Sequence, residues 1–226
     1  MAYRLSSSKL KVYEDCERCF WFEAVKKVKR PSYPTASVTN TIDLTAKSIA
    51  DDYRAGAQIY PQFAALGARF YDGPELKKWR GTRGLKWVDG ENNELSGGID
   101  DLLIVNDAFS VMDNKSRGSL PKEKKAREEK LGYYRRQLEI YHFLFDRLGY
   151  KVNDCGVVAV WHSAEKHVLH DGSPSMLLKP KDVVPIAIDI SKVQPFFEGA
   201  VKVLKRKTVP KPSKDCTWCA WGKSTS

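Results

Sequence analysis

Long apolar runs are missing from this chain of 226 residues. No stretch approaches the ~18 consecutive apolar residues of a membrane span, so no membrane insertion is expected. The opening MAYRLSSSKLK lacks the apolar core of an export signal, which predicts a cytoplasmic protein. Acidic residues are in deficit: 28 Asp and Glu face 38 Lys and Arg, a formal charge of +10. Such an imbalance favours a polyanionic partner such as nucleic acid. Cysteines are few and odd in number, five in all, which argues against a disulfide framework. What is present is enough for a core, since 42% of residues are hydrophobic. No shift in composition marks a boundary, so residues 1–226 are expected to form a single domain.

The most informative stretch is LSGGIDDLLIVNDAFSVMDNKSRG, from Leu95 to Gly118. Leu102 to Val105 and Ala108 to Met112 are short apolar runs. Between them stands Asn106-Asp107, a pair that tolerates the positive φ angles of a two-residue hairpin turn. That turn sets the register: Val105 pairs with Ala108, Leu103 with Ser110, and Asp100 falls opposite Asp113. Facing carboxylates at roughly 5 Å repel unless a cation lies between them. Lys115, two residues after Asp113, projects from the same strand face. Two acids and a lysine on one face suit a divalent-metal site with a cation beside it. Solvated charges at the open end of a hairpin are the plain alternative. Asp101 points to the other face.

Around this hairpin the pattern is helices, then strands, a long helix, more strands and a last helix. Leu5 to Val28 reads as helix with a break, and Ser6 to Ser8 offer N-cap hydroxyls. Phe20, Trp21 and Phe22 read as core, and Lys26 to Pro34 as a basic linker. Ile42, Ala46, Ile49, Ala50 and Tyr53 place a helix over Asn40 to Arg54. Pro74 starts a short helix to Trp79, and Leu85 to Val88 reads as a strand closed by Asp89-Gly90. Ser116 to Lys130 is a charged loop. Leu131 to Leu148 is the strongest helix, ended by Gly149. Cys155 to Trp161 reads as a buried strand. A turn over Leu169 to Pro174, strands at Met176 to Leu178 and Val183 to Ile190, and a helix from Val193 to Lys205 capped by Ser191 complete the chain. This order predicts an α/β fold with a central mixed sheet flanked by helices.

Cys16 and Cys19 form one C-x-x-C pair, and Cys216 and Cys219 another. Each pair can bite one metal centre, and four thiolates hold zinc or an iron–sulfur cluster; spacing does not choose between them. Either centre joins the two ends of the chain. Cys155 reads as inert core. The basic runs Lys26 to Arg30, Lys122 to Arg127, Arg135-Arg136 and Lys205 to Lys207 are candidates to line a nucleic-acid groove.

A strand ending in Gly98-Ile99-Asp100, a second ending in Asp113-Asn114-Lys115, and a helix carrying Gln137-x-x-x-Tyr141 resemble the PD-(D/E)XK nuclease superfamily. The match is to its RecB-like branch, including the CRISPR-associated RecB-like exonucleases, and it spans most of the chain. The resemblance implies a restriction-endonuclease-like core. It implies that Asp100, Asp113 and the backbone carbonyl of Asn114 bind Mg²⁺ or Mn²⁺. Lys115 then positions or deprotonates the attacking water or neutralises developing charge, with Gln137 and Tyr141 orienting the lysine or touching the nucleic-acid backbone. It also implies a [4Fe–4S] cluster at the terminal cysteines. Two departures stand out. The metal-binding histidine that many RecB-like nucleases carry on an early helix is missing, since the four histidines lie at 142, 162, 167 and 170. Asp43 can supply that ligand, with Lys47 one turn on; otherwise Asp43 is an ordinary first-turn acid. The cysteines are arranged two plus two rather than one plus three, which keeps zinc in contention.

The function expected is metal-dependent hydrolysis of DNA, with a single-stranded region in the substrate. The first alternative is a non-catalytic nucleic-acid-binding module whose metal centre serves folding. A second is an adaptor that lends its site to a helicase or integrase partner.

Overall fold

The computed structural model describes residues 2–31, 37–116, 121–123, 126, 129, 132–168, 171 and 174–219, with backbone alone at 37, 38, 162–168 and 174–181. The N-terminal part runs β1 (Arg4–Ser6), α1 (Ser7–Asp15), α2 (Glu17–Trp21), a π-helical turn Phe22–Lys26, α3 (Ser37–Ala55) and α4 (Pro61–Ala64). The middle holds β2 (Arg69–Phe70), α5 (Leu76–Trp79), β3 (Leu85–Val88), β4 (Glu94–Gly97), β5 (Asp101–Val105) and β6 (Ala108–Ser116). Then come α6 (Arg135–Arg147), β7 (Cys155–Val168), β8 (Pro174–Ala187), a 3-10 turn Ile190–Lys192 and α7 (Val193–Leu204). The result is a mixed α/β fold. One sheet has the order β1-β4-β3 and the other β2-β5-β6-β7-β8. Both are mixed: β1 is parallel to β4 and β6 to β7, and the remaining pairs are antiparallel.

The β5–β6 hairpin forms in the register that its turn requires. Asn106 and Asp107 take φ of 50° and 57°, as a type I′ turn demands, and Val105 faces Ala108 while Leu103 faces Ser110. The ladder ends at Asp101 and Met112, one step short of the expected Asp100–Asp113 pair. From β6 the chain crosses over through α6 to β7, which lies parallel to β6 with Asp113 beside Val158 and Lys115 beside Val160. A parallel neighbour requires such a crossover, and helices covering both faces explain why β7 opens with an uncharged apolar run.

Strand alternation divides the core in two. Leu102, Val111, Val158 and Val160 pack with Leu138 and Leu144 of α6 and with Leu10 of α1. Leu103, Met112, Val157, Ala159 and Trp161 face the other way, onto Ile42, Ala46 and Ala50 of α3. The i, i+4, i+8 spacing of those three residues is the helical stripe read from sequence, in a helix that begins three residues earlier. Asp113 thus sits in a strand covered on both faces, with α6 on one and α3 on the other.

Several boundaries differ from expectation. The expected helix near Leu5 is preceded by β1 and broken at Cys16, whose φ of −166° is extended. Strands β1 and β2 and helix α4 are two to four residues long, too short for any period to register. Strand β4 follows Asp89-Gly90 and pairs antiparallel with β3. The two strands expected at Met176 and Val183 are one continuous β8 with register shifts against β7. Asp189, not Ser191, is the cap near the C-terminal helix: its carboxylate accepts from the Ser191 amide across the 3-10 turn. The loop 116–130 and the turn 169–174 lie largely outside the described residues.

His142 of α6 secures the sheet to its crossover helix. Its Nδ1 donates to the Leu138 carbonyl at 2.8 Å and its Nε2 accepts the Val111 amide of β6 at 3.2 Å. Burial lowers its pKa to about 4, so it stays neutral. An ordinary histidine binds its proton near pH 6.5 when unfolded, so the unfolded chain takes up more protons between pH 6.5 and 4 and stability falls as the pH drops through that window. His142→Ala is expected to cost about 3 kcal/mol at pH 7, because the Val111 amide loses its acceptor and a cavity opens. The same variant should lose less stability than wild type on acidification from pH 6.5 to 4.5; denaturant titrations at the two pH values check both effects.

Candidate functional site

Five segments converge at one end of β6 on a pocket of about 400 Å³, lined by Asp43, Asp100, Asp113, Asn114, Lys115, Gln137 and Tyr141 among others. All seven active-site positions expected from sequence are therefore brought together. A slightly larger pocket of about 440 Å³ lies elsewhere, between α1 and the π-turn. Its walls are mostly apolar, and Lys9 and Lys27 at its rim already donate to the carbonyls of Arg4 and Ala24. It lacks convergent polar groups, so the smaller pocket is the better candidate.

Each acid is placed by a different device. Asp100 lies just outside the ladder, and its Oδ2 accepts the Asn114 amide at 2.8 Å, in place of a strand partner. Its carbonyl accepts from Arg80 Nε at 3.0 Å. Asp113 is 1% exposed and Lys115 Nζ lies 2.5 Å from its Oδ2. Asp43 is on α3, with Lys47 one turn on, and Lys47 Nζ lies 2.7 Å from Asp43 and 3.0 Å from Asp100. The expected repulsion between facing acids is thus met by two ammonium groups rather than one. Lys47 was visible in the sequence only as an i+4 neighbour of Asp43; that it reaches Asp100 is a tertiary fact.

Burial pushes the Asp113 carboxyl up to about 6; Lys115 opposes that shift and the charges of Asp100 and Asp43 add to it. For Lys115, burial works against the charge, but Asp113 and then Asp100 outweigh it and the pKa is raised. The ammonium also lies 5.0 Å from the centroid of the Tyr134 ring. Asn114 turns to the α3 face, where its Oδ1 accepts from Trp161 Nε1 at 2.9 Å and its Nδ2 is buried without a partner.

Gln137 donates to the Tyr141 hydroxyl at 3.1 Å, and that hydroxyl lies 3.2 Å from Ser7 Oγ at the start of α1. Tyr141 is buried, so it orders Gln137 and α1 rather than presenting a free hydroxyl. Two glycines make room here. A Cβ at Gly97 would fall 2.6 Å from the Tyr141 ring, and one at Gly98 2.2 Å from the Gly81 carbonyl oxygen. Asp101 faces away from the pocket, fully buried between Arg54 and Arg80 at 2.5 and 2.7 Å. Ser7, Arg80 and Trp161 carry no local signal in the sequence, because each acts through a residue far along the chain.

Cys16, Cys19, Cys216 and Cys219 form a second centre, with all four sulfurs within 4.8 Å of one another. Cys16 and Cys219 are 3.8 Å apart, Cys19 and Cys216 3.6 Å, and Cys19 and Cys219 3.5 Å. Among the described residues no other group of three or more His, Cys, Asp or Glu comes so close. This cysteine group could hold a metal such as zinc or an iron–sulfur cluster. Burial disfavours the Cys16 thiolate, but the amides of Ser213 and Cys19 outweigh it and bring the pKa down to about 6. Burial and the neighbouring thiols push Cys219 up. Four thiolates in so small a space need a cation to ionise together. Cys155 is half-buried and separate from this group.

Some members of the basic runs are engaged in ion pairs within the protein. Arg30 pairs with Asp15, Arg136 with Glu139, Lys205 with Glu91 and Arg206 with Glu17. The run at 122–127 lies partly outside the described residues. No helix among them is long and apolar enough to cross a membrane.

No protein-family model matches this chain, and no curated protein does. Among solved structures the chain is similar to the crystal structure of SSO0001, at 14% identity and a TM-score of 0.46, over 99% of this chain and 86% of that one.

The cysteine centre joins residues 197 positions apart, and closing a loop of that length restricts the unfolded chain by roughly 5 kcal/mol. Cys16→Ser and Cys216→Ser are each expected to lose the bound metal and lower the Tm by roughly 10 °C. Cys155→Ser should keep its metal. Metal analysis and thermal scans of the three variants check this, and retention of metal by Cys216→Ser would remove that residue from the centre.

Proposed function

We propose that this protein is a divalent-metal-dependent nuclease of the PD-(D/E)XK type that hydrolyses DNA phosphodiester bonds. The observation that carries the reading is the meeting of Asp43, Asp100, Asp113, Asn114, Lys115, Gln137 and Tyr141 in one pocket, from positions spread over a hundred residues of sequence. The β5–β6 hairpin, the crossover helix α6 and parallel β7 agree with the restriction-endonuclease-like core that the resemblance implies. The formal charge of +10 suits a polyanionic substrate.

The donor set fits a hard cation. Carboxylates from Asp43, Asp100 and Asp113, with the Asn114 carbonyl, are all oxygen ligands of the kind Mg²⁺ and Mn²⁺ prefer. Asp113 in particular is buried with only Lys115 against its Oδ2, so a charge there meets an unmet need. Such a cation, when bound, polarises the scissile phosphate and makes water a better nucleophile. Of the alternatives open to Lys115, its raised pKa favours one: it stays protonated and neutralises charge building on the phosphoryl oxygens rather than acting as the base. Gln137, held by Tyr141, is placed to hydrogen-bond a phosphate oxygen or water at the pocket wall.

At the cysteines we favour zinc. A tetrahedral ion with Zn–S bonds of ~2.3 Å spaces its sulfurs by about 3.8 Å, close to the 3.5–3.8 Å of three pairs here and compatible with a group that lies wholly within 4.8 Å. The [4Fe–4S] cluster that the resemblance implies has its irons spread over alternate corners of a cube and requires the cysteines to move apart. A colourless protein with one zinc per chain is the expected preparation; a brown one with about four irons selects the cluster instead.

Purified protein should cut DNA with Mn²⁺, and Asp113→Ala should lose about 1,000-fold or more of that rate while holding DNA nearly as well. Cleavage by the variant at wild-type rate would falsify the assignment. Failure of the wild-type chain to cut alone, with binding intact, favours the non-catalytic or adaptor alternative. Because Asp113 must lose its proton to bind a cation and its pKa is about 6, Mn²⁺ affinity should rise roughly tenfold per pH unit up to pH 6 and flatten above it. Calorimetry from pH 5 to 8 measures that slope.

A further inference from the structure

We propose that Lys47 is the resident cation of the Asp43–Asp100 pair, that a divalent metal displaces it, and that the freed ammonium then pairs with the substrate phosphate. The inference rests on the nuclease reading and adds a residue which that reading does not use.

The geometry comes first. Lys47 Nζ lies 2.7 Å from Asp43 Oδ2 and 3.0 Å from Asp100 Oδ1, so one ammonium spans two acids carried by different elements. Asp43 and Lys47 share one face of α3, while Asp100 is fixed at the head of β5 by the Asn114 amide and by Arg80. Asp100 is held in place, and without a positive charge between them the two acids repel. The two acids hold the lysine in turn.

Charge balance comes second. The pocket is lined by three carboxylates, on Asp43, Asp100 and Asp113, and by the Lys115 ammonium, and a second ammonium, on Lys47, contacts two of those acids. With both lysines in place it carries only one net negative charge, a weak trap for a dication. A metal that binds Asp43 and Asp100 together needs the space and the charge that Lys47 occupies. The two lysines are not equivalent. Lys115 faces buried Asp113 and lies over the Tyr134 ring, whereas the acids that Lys47 meets, Asp43 and Asp100, are 40% and 20% exposed. Lys47 is therefore the one that yields. Its ammonium, still tethered at the pocket mouth, then meets the phosphate that arrives with the substrate.

The test uses the full-length protein, Mn²⁺ as the probe, and Lys47→Met, which keeps the length of the side chain and removes the charge. Titration of metal-free protein should show Mn²⁺ binding about tenfold or more tighter in Lys47→Met than in wild type. At saturating Mn²⁺ the same variant should cut DNA about tenfold or more slowly, and Lys47→Arg should retain more activity than Lys47→Met. Lys47→Gln serves the same measurements if the methionine variant is too unstable to purify. Equal or weaker Mn²⁺ affinity without the charge overturns the displacement. Tighter Mn²⁺ binding with undiminished cleavage overturns the phosphate role. If neither wild type nor variant cuts DNA, yet the variant binds Mn²⁺ more tightly, the displacement stands and the nuclease reading fails. If neither protein binds Mn²⁺, both are wrong.

Discussion

A buried carboxylate clamped by two guanidinium groups sets the geometry of the pocket. Asp101 has no exposure, and Arg54 of α3 and Arg80 after α5 reach it from two sides. Asp51 of α3 joins the same group by pairing with both arginines. An ion cluster of this kind adds little net stability over apolar packing, but leaving one member unpaired is severely destabilising. Its consequence is registry. It pins α3 against the first residue of β5, one position from Asp100. Lys47 and Asp43, about two and three turns back from Arg54 along the same helix, then fall opposite Asp100. Arg80 adds a bond to the Asp100 carbonyl. The residues facing away from the pocket thus decide where the pocket acids stand.

The two candidate centres are linked through α1. Tyr141 of α6 meets Ser7 at the start of that helix, and the first cysteine pair begins at its other end, where extended Cys16 interrupts the helices. The second pair returns from the far end of the chain, and Trp21 bonds the Arg206 carbonyl to hold the returning segment. A metal at the cysteines therefore anchors the helix against which the Gln137–Tyr141 arm is braced. This gives the cysteine centre a structural bearing on the pocket without contributing a ligand to it.

Local chemistry made much of this legible. Asn106-Asp107 adopts positive φ because those side chains tolerate it, and a two-residue turn leaves only one register for β5 and β6. The stripe Ile42, Ala46, Ala50 announced α3, and Leu138 and Tyr141 announced α6. Elements of two to four residues were invisible, since they hold less than one period of any pattern. Asp189 replaces Ser191 as the cap because its carboxylate takes both the Ser191 amide and the Ser191 hydroxyl, which spends the hydroxyl as a donor. Strand β8 runs on through Pro180 and Pro185 because it is the outer strand of its sheet, where a missing donor is tolerated.

The sequence by itself determined the residue types that can do this chemistry and their order along the chain. It also determined the face on which Lys115 stands, because strand and helix periods are local properties of the backbone. Only the tertiary structure decided how those residues answer one another. Asp100 leaves the ladder to cap a backbone amide, Lys47 bridges two acids, Asp113 is desolvated between two helices, and Tyr141 is spent on Ser7. The reason is physical: burial and Coulomb attraction depend on distance in space, and residues 7, 47, 100, 113 and 141 become neighbours only when the sheet and its helices close around them.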